Sequence, residues 1–220
     1  MNINKFSLLI IFLIFSTNSQ SVPRKYINKQ FTPYLYEVSI SKDFSEAISP
    51  LNFYIKSAIK GYNNRKQEKL LGRMYDITYT LIEERLEKDC QVDILPVNTF
   101  QERIKYNEYN YPDASIKKAQ RISYTNYYFK IEIEMDAKSH SEASNTICPE
   151  VSVTLSVYDK VGILPIDRAN GSAHCTQPLK ITEDLLAGIS SPLSREEVMK
   201  RDNAMMKIIY TAIDRLIADF

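Results

Sequence analysis

The sequence is poor in the residue types on which several catalytic and ligand-binding motifs depend. Among its 220 residues it has no tryptophan, five glycines, two histidines and three cysteines. So few glycines argue against the glycine-rich loops that hold phosphate groups and against a many-turned β-barrel. The sequence also lacks a Cys-x-x-Cys pair, a His-Glu-x-x-His motif and an acid-rich calcium loop. It therefore predicts no metal site and no cofactor.

A charge of one sign does not dominate the chain either. Its 28 lysines and arginines nearly balance its 27 aspartates and glutamates, which leaves a net charge of +1. A nucleic-acid-binding protein usually carries a basic excess or a basic stripe. We therefore expect no nucleic-acid partner.

Neither histidine lies in a catalytic signature. His140 is in a polar segment, His174 directly precedes Cys175, and no Gly-x-Ser-x-Gly elbow is present. The sequence therefore assigns no catalytic residue. One alternative stays open, an exported hydrolase whose two carboxylates come from distant segments, although the absence of tryptophan removes the usual sugar-stacking platform.

The first residues have the three parts of an export signal. Lys5 precedes an apolar run over residues 6–15, and small polar residues follow up to Ser21. An apolar run of about ten residues suits a signal peptide, whereas a membrane-spanning helix needs about 20. We predict a signal peptide over residues 1–21 and a periplasmic or secreted protein with no transmembrane segment in its mature part. The alternative is an uncleaved membrane anchor.

The remainder predicts a disordered lead-in over residues 22–32 and one α+β domain over residues 33–220. Apolar residues alternate with polar ones in segments typical of half-buried strands, and recur every three or four positions in segments typical of helices. The predicted strands are 34–40, 90–96, 129–135, 151–157 and 163–175, and the predicted helices are 44–60, 66–88, 113–121 and one from 194. We expect two layers: a mixed, mostly antiparallel sheet of four or five strands with helices on one face.

A tyrosine-rich loop is the most unusual local feature. Tyr106, Tyr109 and Tyr111 alternate with Asn107, Glu108 and Asn110. Tyrosine gives a large contact area at low entropic cost, so this loop is a candidate binding surface. The alternative is that the rings pack beneath the loop and tie it to the domain.

Strand register predicts one disulfide. A tight turn over residues 159–162 joins two antiparallel strands and puts Cys148 opposite Ala173, within two residues of Cys175. Neighbouring strands lie about 4.8 Å apart, which suits a disulfide, and an exported protein meets an oxidising compartment. We predict a Cys148–Cys175 bond, with Cys90 buried as a small hydrophobic residue.

The order of features over residues 75–165 resembles a domain of bacterial envelope proteins. A long helix ending in Leu-Glu-Lys-Asp is followed by the strand from Cys90, the helix over 114–122 and two strands, the second closing at Asp159 and Gly162. This order is similar to the periplasmic α/β domain of the TolB N-terminal domain, LpoB and CsgG-type proteins. The sequence departs from that pattern at residues 124–126 and at Val161. The resemblance implies an envelope binding or assembly module that binds an envelope or secreted protein partner without catalysis.

Overall fold

The computed structural model describes residues 25–48, 66–100, 102–182, 185 and 203–220, with only the backbone of 66–74, 77 and 78. The predicted signal peptide, residues 1–21, lies outside this part of the chain. So do residues 49–65, which include most of the helix predicted over 44–60.

Six strands and four α-helices make up the described chain. The strands are β1 (Gln30–Ile40), β2 (Asp93–Ile94), β3 (Tyr127–Ser141), β4 (Thr146–Asp159), β5 (Asp167–His174) and β6 (Leu179–Lys180). The helices are α1 (Lys42–Ile48), α2 (Lys66–Cys90), α3 (Ile116–Ile122) and α4 (Ala204–Asp219), and a short 3₁₀ helix spans Val97–Phe100.

The strands form one mixed sheet in the order β2-β1-β3-β4-β5, with β6 paired to β4. β1 runs parallel to both of its neighbours, β2 and β3, while β3, β4 and β5 form an antiparallel meander. The mixed α+β class is therefore as predicted. The sheet has one more strand than expected, because the two-residue strand β6 extends it beside β4.

One face of the sheet carries the main core. Alternate residues of β3 and β4 point towards α2 and α4 and are fully buried, among them Phe129, Ile131, Val153 and Leu155. Each buried aliphatic or aromatic side chain of this size stabilises the fold by about 1.5–3 kcal/mol.

The opposite face is covered at one end, which corrects the prediction that all helices lie on one face. There α3 packs its buried Ala119 against Tyr34, Tyr128 and Tyr158, a cluster separate from the main core. These tyrosines occupy the outward positions of their strands, which are polar elsewhere. Their large rings need cover, and the small Ala119 lets the helix approach.

The domain begins earlier than the sequence predicts. Tyr26 and Phe31 are buried, and β1 starts at Gln30, within the lead-in predicted to be disordered. The Tyr26 ring stacks on that of Phe220, with centroids 5.4 Å apart, so the start of the described chain is fixed to the end of α4. Residues 25–32 are therefore part of the fold.

Two helix starts also differ from the prediction. Ser115, not Asp113, is the N-cap of α3. Asn203 is the N-cap of α4, and its Oδ1 accepts a hydrogen bond from the Met206 N–H at 3.0 Å. The predicted helix start at Ser194 lies outside the described residues.

The connection between β4 and β5 is longer than a tight turn. Asp167 is the first residue of β5 and pairs with Val157, and Val151 rather than Cys148 lies opposite Ala173. The prediction of strand pairing from Ile163 was therefore wrong, because residues 160–166 form a loop. No helix in the described part of the chain combines the length and the apolar character needed to cross a membrane.

Candidate functional site

The tyrosine-rich loop is tied to the domain by hydrogen bonds. Asn107 Oδ1 accepts from the N–H groups of both Tyr109 and Tyr111 at 3.0 Å, and the hydroxyl of Tyr106 donates to the carbonyl oxygen of Val97. Tyr106 and Tyr109 are half-buried and Tyr111 is buried. Most of the surface of these three rings is therefore turned towards the protein.

Five rings pack together beneath this loop, and we call them the tyrosine cluster: Tyr36, Tyr75, Tyr79, Tyr109 and Tyr111. The ring of Tyr111 lies 4.9–5.5 Å, centroid to centroid, from Tyr36, Tyr75 and Tyr79, and Tyr109 stacks on Tyr75 at 5.0 Å. Pairs of this geometry contribute about 0.5–1.5 kcal/mol beyond their buried area. The cluster therefore joins the loop, α2 and β1.

Two carboxylates of α2 bind this cluster. The Tyr111 hydroxyl donates to Asp76 Oδ1 at 2.7 Å, and the Tyr36 hydroxyl donates to Glu83 Oε1 at 3.1 Å. Burial raises the pKa of the Glu83 carboxyl to about 7, although the hydrogen bonds from Tyr79 and Tyr36 act in the opposite direction. Glu83 therefore titrates near neutral pH while it bridges α2 and β1.

Sequence analysis missed the part of this cluster that lies on α2. Tyr75, Tyr79 and Glu83 are spaced four residues apart, so they share one face of the helix. That spacing was the available signal. The binding role predicted for Tyr106, Tyr109 and Tyr111 stays a prediction, with half-buried Tyr106 and Tyr109 as its accessible part.

The remaining candidate groups are dispersed. His140 is exposed, and His174 Nε2 lies 3.5 Å from the Nζ of Lys138. Lys130 Nζ lies 2.7 Å from Glu132 and 3.3 Å from Glu37, so these strand carboxylates form surface ion pairs. Within the described residues, no three His, Cys, Asp or Glu side chains are placed to hold a metal ion together.

An exposed apolar surface lies at the end of the sheet where β3 begins and β4 ends. It comprises Tyr124, Val161, Ile163 and Leu164, with 92%, 87%, 57% and 74% of each residue exposed, and we call it the apolar tip. Val161, Ile163 and Leu164 lie within four residues of one another, and Tyr124 lies at the same end of the sheet, where Tyr127 pairs with Asp159. Exposed apolar side chains grouped at one end in this way are typical of interaction sites.

Hydrogen bonds hold the loop of the apolar tip in one shape. Asp159 Oδ1 accepts from the N–H groups of Val161 and Gly162, which holds the pKa of this carboxyl below its usual value. Gln120 of α3 donates through Nε2 to the carbonyl oxygens of Asp159 at 2.9 Å and Gly162 at 2.8 Å. The loop is therefore fixed to α3.

Tyr124 is held outward by its two neighbours. Ser123 and Thr125 are buried, and both side-chain hydroxyls lie 2.6 Å from Thr32 Oγ1. The Tyr128 hydroxyl adds hydrogen bonds to the carbonyl oxygens of both residues, at 3.3 and 3.1 Å. With the side chains on either side of it anchored inside the domain, Tyr124 projects into solvent.

The two predicted disulfide partners lie at the other end of the sheet. Cys148 and Cys175 are at disulfide distance, with Cα atoms 5.4 Å apart. Cys90 is buried and lies outside this pair.

Comparisons with known proteins give no family for this chain. No family model matches it, and no curated protein matches it. Among solved structures, the hypothetical protein CT253 from Chlamydia trachomatis gives a TM-score of 0.47 at 11% identity over 87% of this chain and 94% of that one. Lipoprotein GNA1162 from Neisseria meningitidis gives a TM-score of 0.39 at 10% identity, over 68% of this chain and 83% of that one. Protein XCC0632 from Xanthomonas campestris, described as DUF330, gives a TM-score of 0.33 at 8% identity, over 87% of this chain and 79% of that one.

None of these three similarities reaches a TM-score of 0.5, so the functional argument rests on this chain's own residues. The TolB, LpoB and CsgG-type domains are not among the three, and that resemblance stays a prediction.

Proposed function

We propose that this chain is an exported, non-catalytic binding or assembly module of the cell envelope that binds through its apolar tip. The apolar tip carries the proposal, because Tyr124, Val161 and Leu164 are more than two-thirds exposed although their backbone is fixed. A surface that is both apolar and preorganised loses little conformational entropy when it binds. That combination favours docking.

Two features support export. The sequence begins with the parts of a signal peptide, and Cys148 and Cys175 lie at disulfide distance. Disulfides persist in the periplasm and outside the cell, and are rare in the cytosol. The proposed location is therefore periplasmic or secreted.

The rival function is an exported hydrolase with a carboxylate-based site. Among the described residues, Glu83 is the observation in its favour, since a carboxyl whose pKa is about 7 suits a general acid. However, its Oε1 accepts from Tyr36 inside the tyrosine cluster, and this bond connects β1 to α2. We infer that Glu83 holds these elements together and that its raised pKa follows from burial.

Envelope fractionation tests the proposal. The mature protein should stay with the envelope fraction, and the double variant Val161→Ser/Leu164→Ser should be released. The matched control is Lys138→Gln, an exposed residue towards the other end of β3, which should be retained like the wild type. Equal release of both variants, or retention of both, would contradict binding through the apolar tip.

Affinity capture from the envelope tests the tyrosine-rich loop. The variant Tyr106→Ala/Tyr109→Ala removes the two half-buried rings and leaves Tyr111 in the core. If the loop binds a protein partner, affinity capture from the envelope should lose that partner. Unchanged capture from a folded variant would show that these rings serve the fold.

A further inference from the structure

The kind of partner that fits the apolar tip follows from its charged surroundings. We infer that the apolar tip docks on an anionic phospholipid bilayer, with its apolar side chains at the boundary between headgroups and acyl chains. This inference rests on the proposed function. Two observations support this: the charge near the apolar tip and the residue types exposed.

The segments that build the apolar tip carry a net positive charge. The two segments that build the apolar tip, 116–126 and 159–168, contain five basic residues and two acidic ones, whereas the whole chain has a net charge of only +1. All five basic residues are exposed: Lys117, Lys118, Arg121, Lys160 and Arg168. Basic residues beside an apolar surface are attracted to anionic headgroups, and each contributes roughly a five-fold increase in affinity.

The two carboxylates in these segments are already engaged within the protein. Asp159 accepts from the loop's own N–H groups, and Asp167 lies 3.2 Å from Lys25 Nζ and accepts from the Tyr26 hydroxyl. By contrast, none of the five basic residues forms an ion pair within the part of the chain that the structure describes. Their charge is therefore available to a ligand.

The exposed residue types suit contact with a membrane surface better than contact with water. Tyrosine is enriched where a protein crosses from headgroups to hydrocarbon, because its ring is apolar and its hydroxyl is polar. The loop also exposes Val161, Ile163 and Leu164, and the exposed Lys160 directly precedes Val161 in the sequence. Interfacial segments combine an apolar side with lysine and arginine in the same way.

Vesicle co-sedimentation tests this inference directly. The mature chain is mixed with vesicles of pure phosphatidylcholine, or of phosphatidylcholine and phosphatidylglycerol in equal parts, at low and high salt. We expect binding to the anionic vesicles that weakens at high salt, because salt screens exposed charges. Binding should fall about tenfold or more in Val161→Ser/Leu164→Ser, and about 25-fold in Arg121→Gln/Lys160→Gln.

The control Lys138→Gln removes one positive charge towards the opposite end of the sheet, so its binding should equal that of the wild type. Circular dichroism confirms that each variant is folded. The inference is overturned if the folded wild type does not bind anionic vesicles, or if the control loses as much affinity as the variants of the apolar tip. If vesicles are not bound but the serine variant is still released from the envelope, the membrane inference fails while the proposed function stands.

Discussion

Gly171 controls how closely α4 lies on β5. The buried positions of β5 are all small, Ala169, Gly171 and Ala173, and the helix fits into the shallow groove that they leave. A Cβ atom at Gly171 would overlap the carbonyl oxygen of Ala212 and the backbone nitrogen of Leu216, and would lie 3.0 Å from Leu216 Cα. These are backbone atoms, so no side-chain rotation relieves the overlap.

The helix is also fixed on both sides of this contact. The Asn170 N–H donates to Asp219 Oδ2 at 2.8 Å, and the Arg215 guanidinium donates to the carbonyl oxygen of Ser172. Gly171→Ala therefore forces α4 away from β5 and strains both hydrogen bonds. Overpacking costs about 1–3 kcal/mol, and the upper end applies here because the overlap is with backbone atoms. Alanine also lowers the entropy of the unfolded chain, which offsets only about 0.4–1 kcal/mol of this cost. We expect a net loss of roughly 2 kcal/mol in the free energy of unfolding.

Urea unfolding followed by circular dichroism measures this loss, which corresponds to a Tm lower by about 4–8 °C in a domain of this size. The matched control is Gly162→Ala, whose new Cβ would meet the side-chain Asp159 Oδ1 at 3.0 Å and no backbone atom closer than 3.6 Å. The control should change stability by less than about 0.5 kcal/mol. If Gly171→Ala is as stable as the control, the close packing of α4 on β5 is refuted.

Three further predictions concern Glu83, the cysteines and α4. The Glu83 carboxyl keeps its proton up to about pH 7 in the folded protein but only to about pH 4.3 in the unfolded chain. It therefore adds roughly 3 kcal/mol to the free energy of unfolding below about pH 4.3, and this stabilisation is lost as the pH rises through 7. Urea midpoints at pH 5 and pH 8 should therefore differ less in Glu83→Gln than in the wild type, and equal differences would contradict this role. Mass spectrometry of non-reduced protein should find a peptide joining Cys148 to Cys175, whose reduction costs about 3–4 kcal/mol; a peptide containing Cys90 in such a link would refute the pairing. Truncation at Ile208 removes most of the buried face of α4, and a soluble chain that still unfolds cooperatively would refute its packing.

The antiparallel part of the fold was predictable from the sequence because its strands have one buried face. Over residues 129–136 of β3 and 150–157 of β4, apolar and polar residues alternate strictly, and this period of two fixes both the element and its inward side. The position of β1 between β2 and β3 was not predictable. Parallel pairing joins segments that are about 60 to 100 residues apart, and local patterns do not encode which partner a strand selects.

The disulfide pair was predicted although the register was not. Val151 rather than Cys148 lies opposite Ala173, a shift of three residues, because the loop before β5 is longer than a tight turn. Cys148 and Cys175 still meet, since each lies within two residues of Glu150 or His174, which form the last pair between β4 and β5. The prediction needed only the approximate position at which the two strands stop pairing.

The apolar tip was missed because apolar residues normally mark buried positions. Ile163 was interpreted as the start of a strand, as its side chain and those of Leu164 and Ile166 suggest. Pro165 interrupts that pattern, and the Ile166 N–H bonds to the Val157 carbonyl oxygen, so the segment before it bulges into solvent. Only the three-dimensional contacts of Gln120 with this loop showed that its apolar side chains are held outward.

Photo-crosslinking from position 164 in the native envelope tests the central claim most directly. A photoreactive amino acid replaces Leu164 in one variant and the exposed Lys138 in the other. We predict that the probe at position 164 forms an adduct with an envelope component, with phospholipid as the expected adduct, and that the probe at position 138 does not. Equal adduct yields at the two positions, or no adduct at position 164, would contradict an envelope-binding module that docks through its apolar tip.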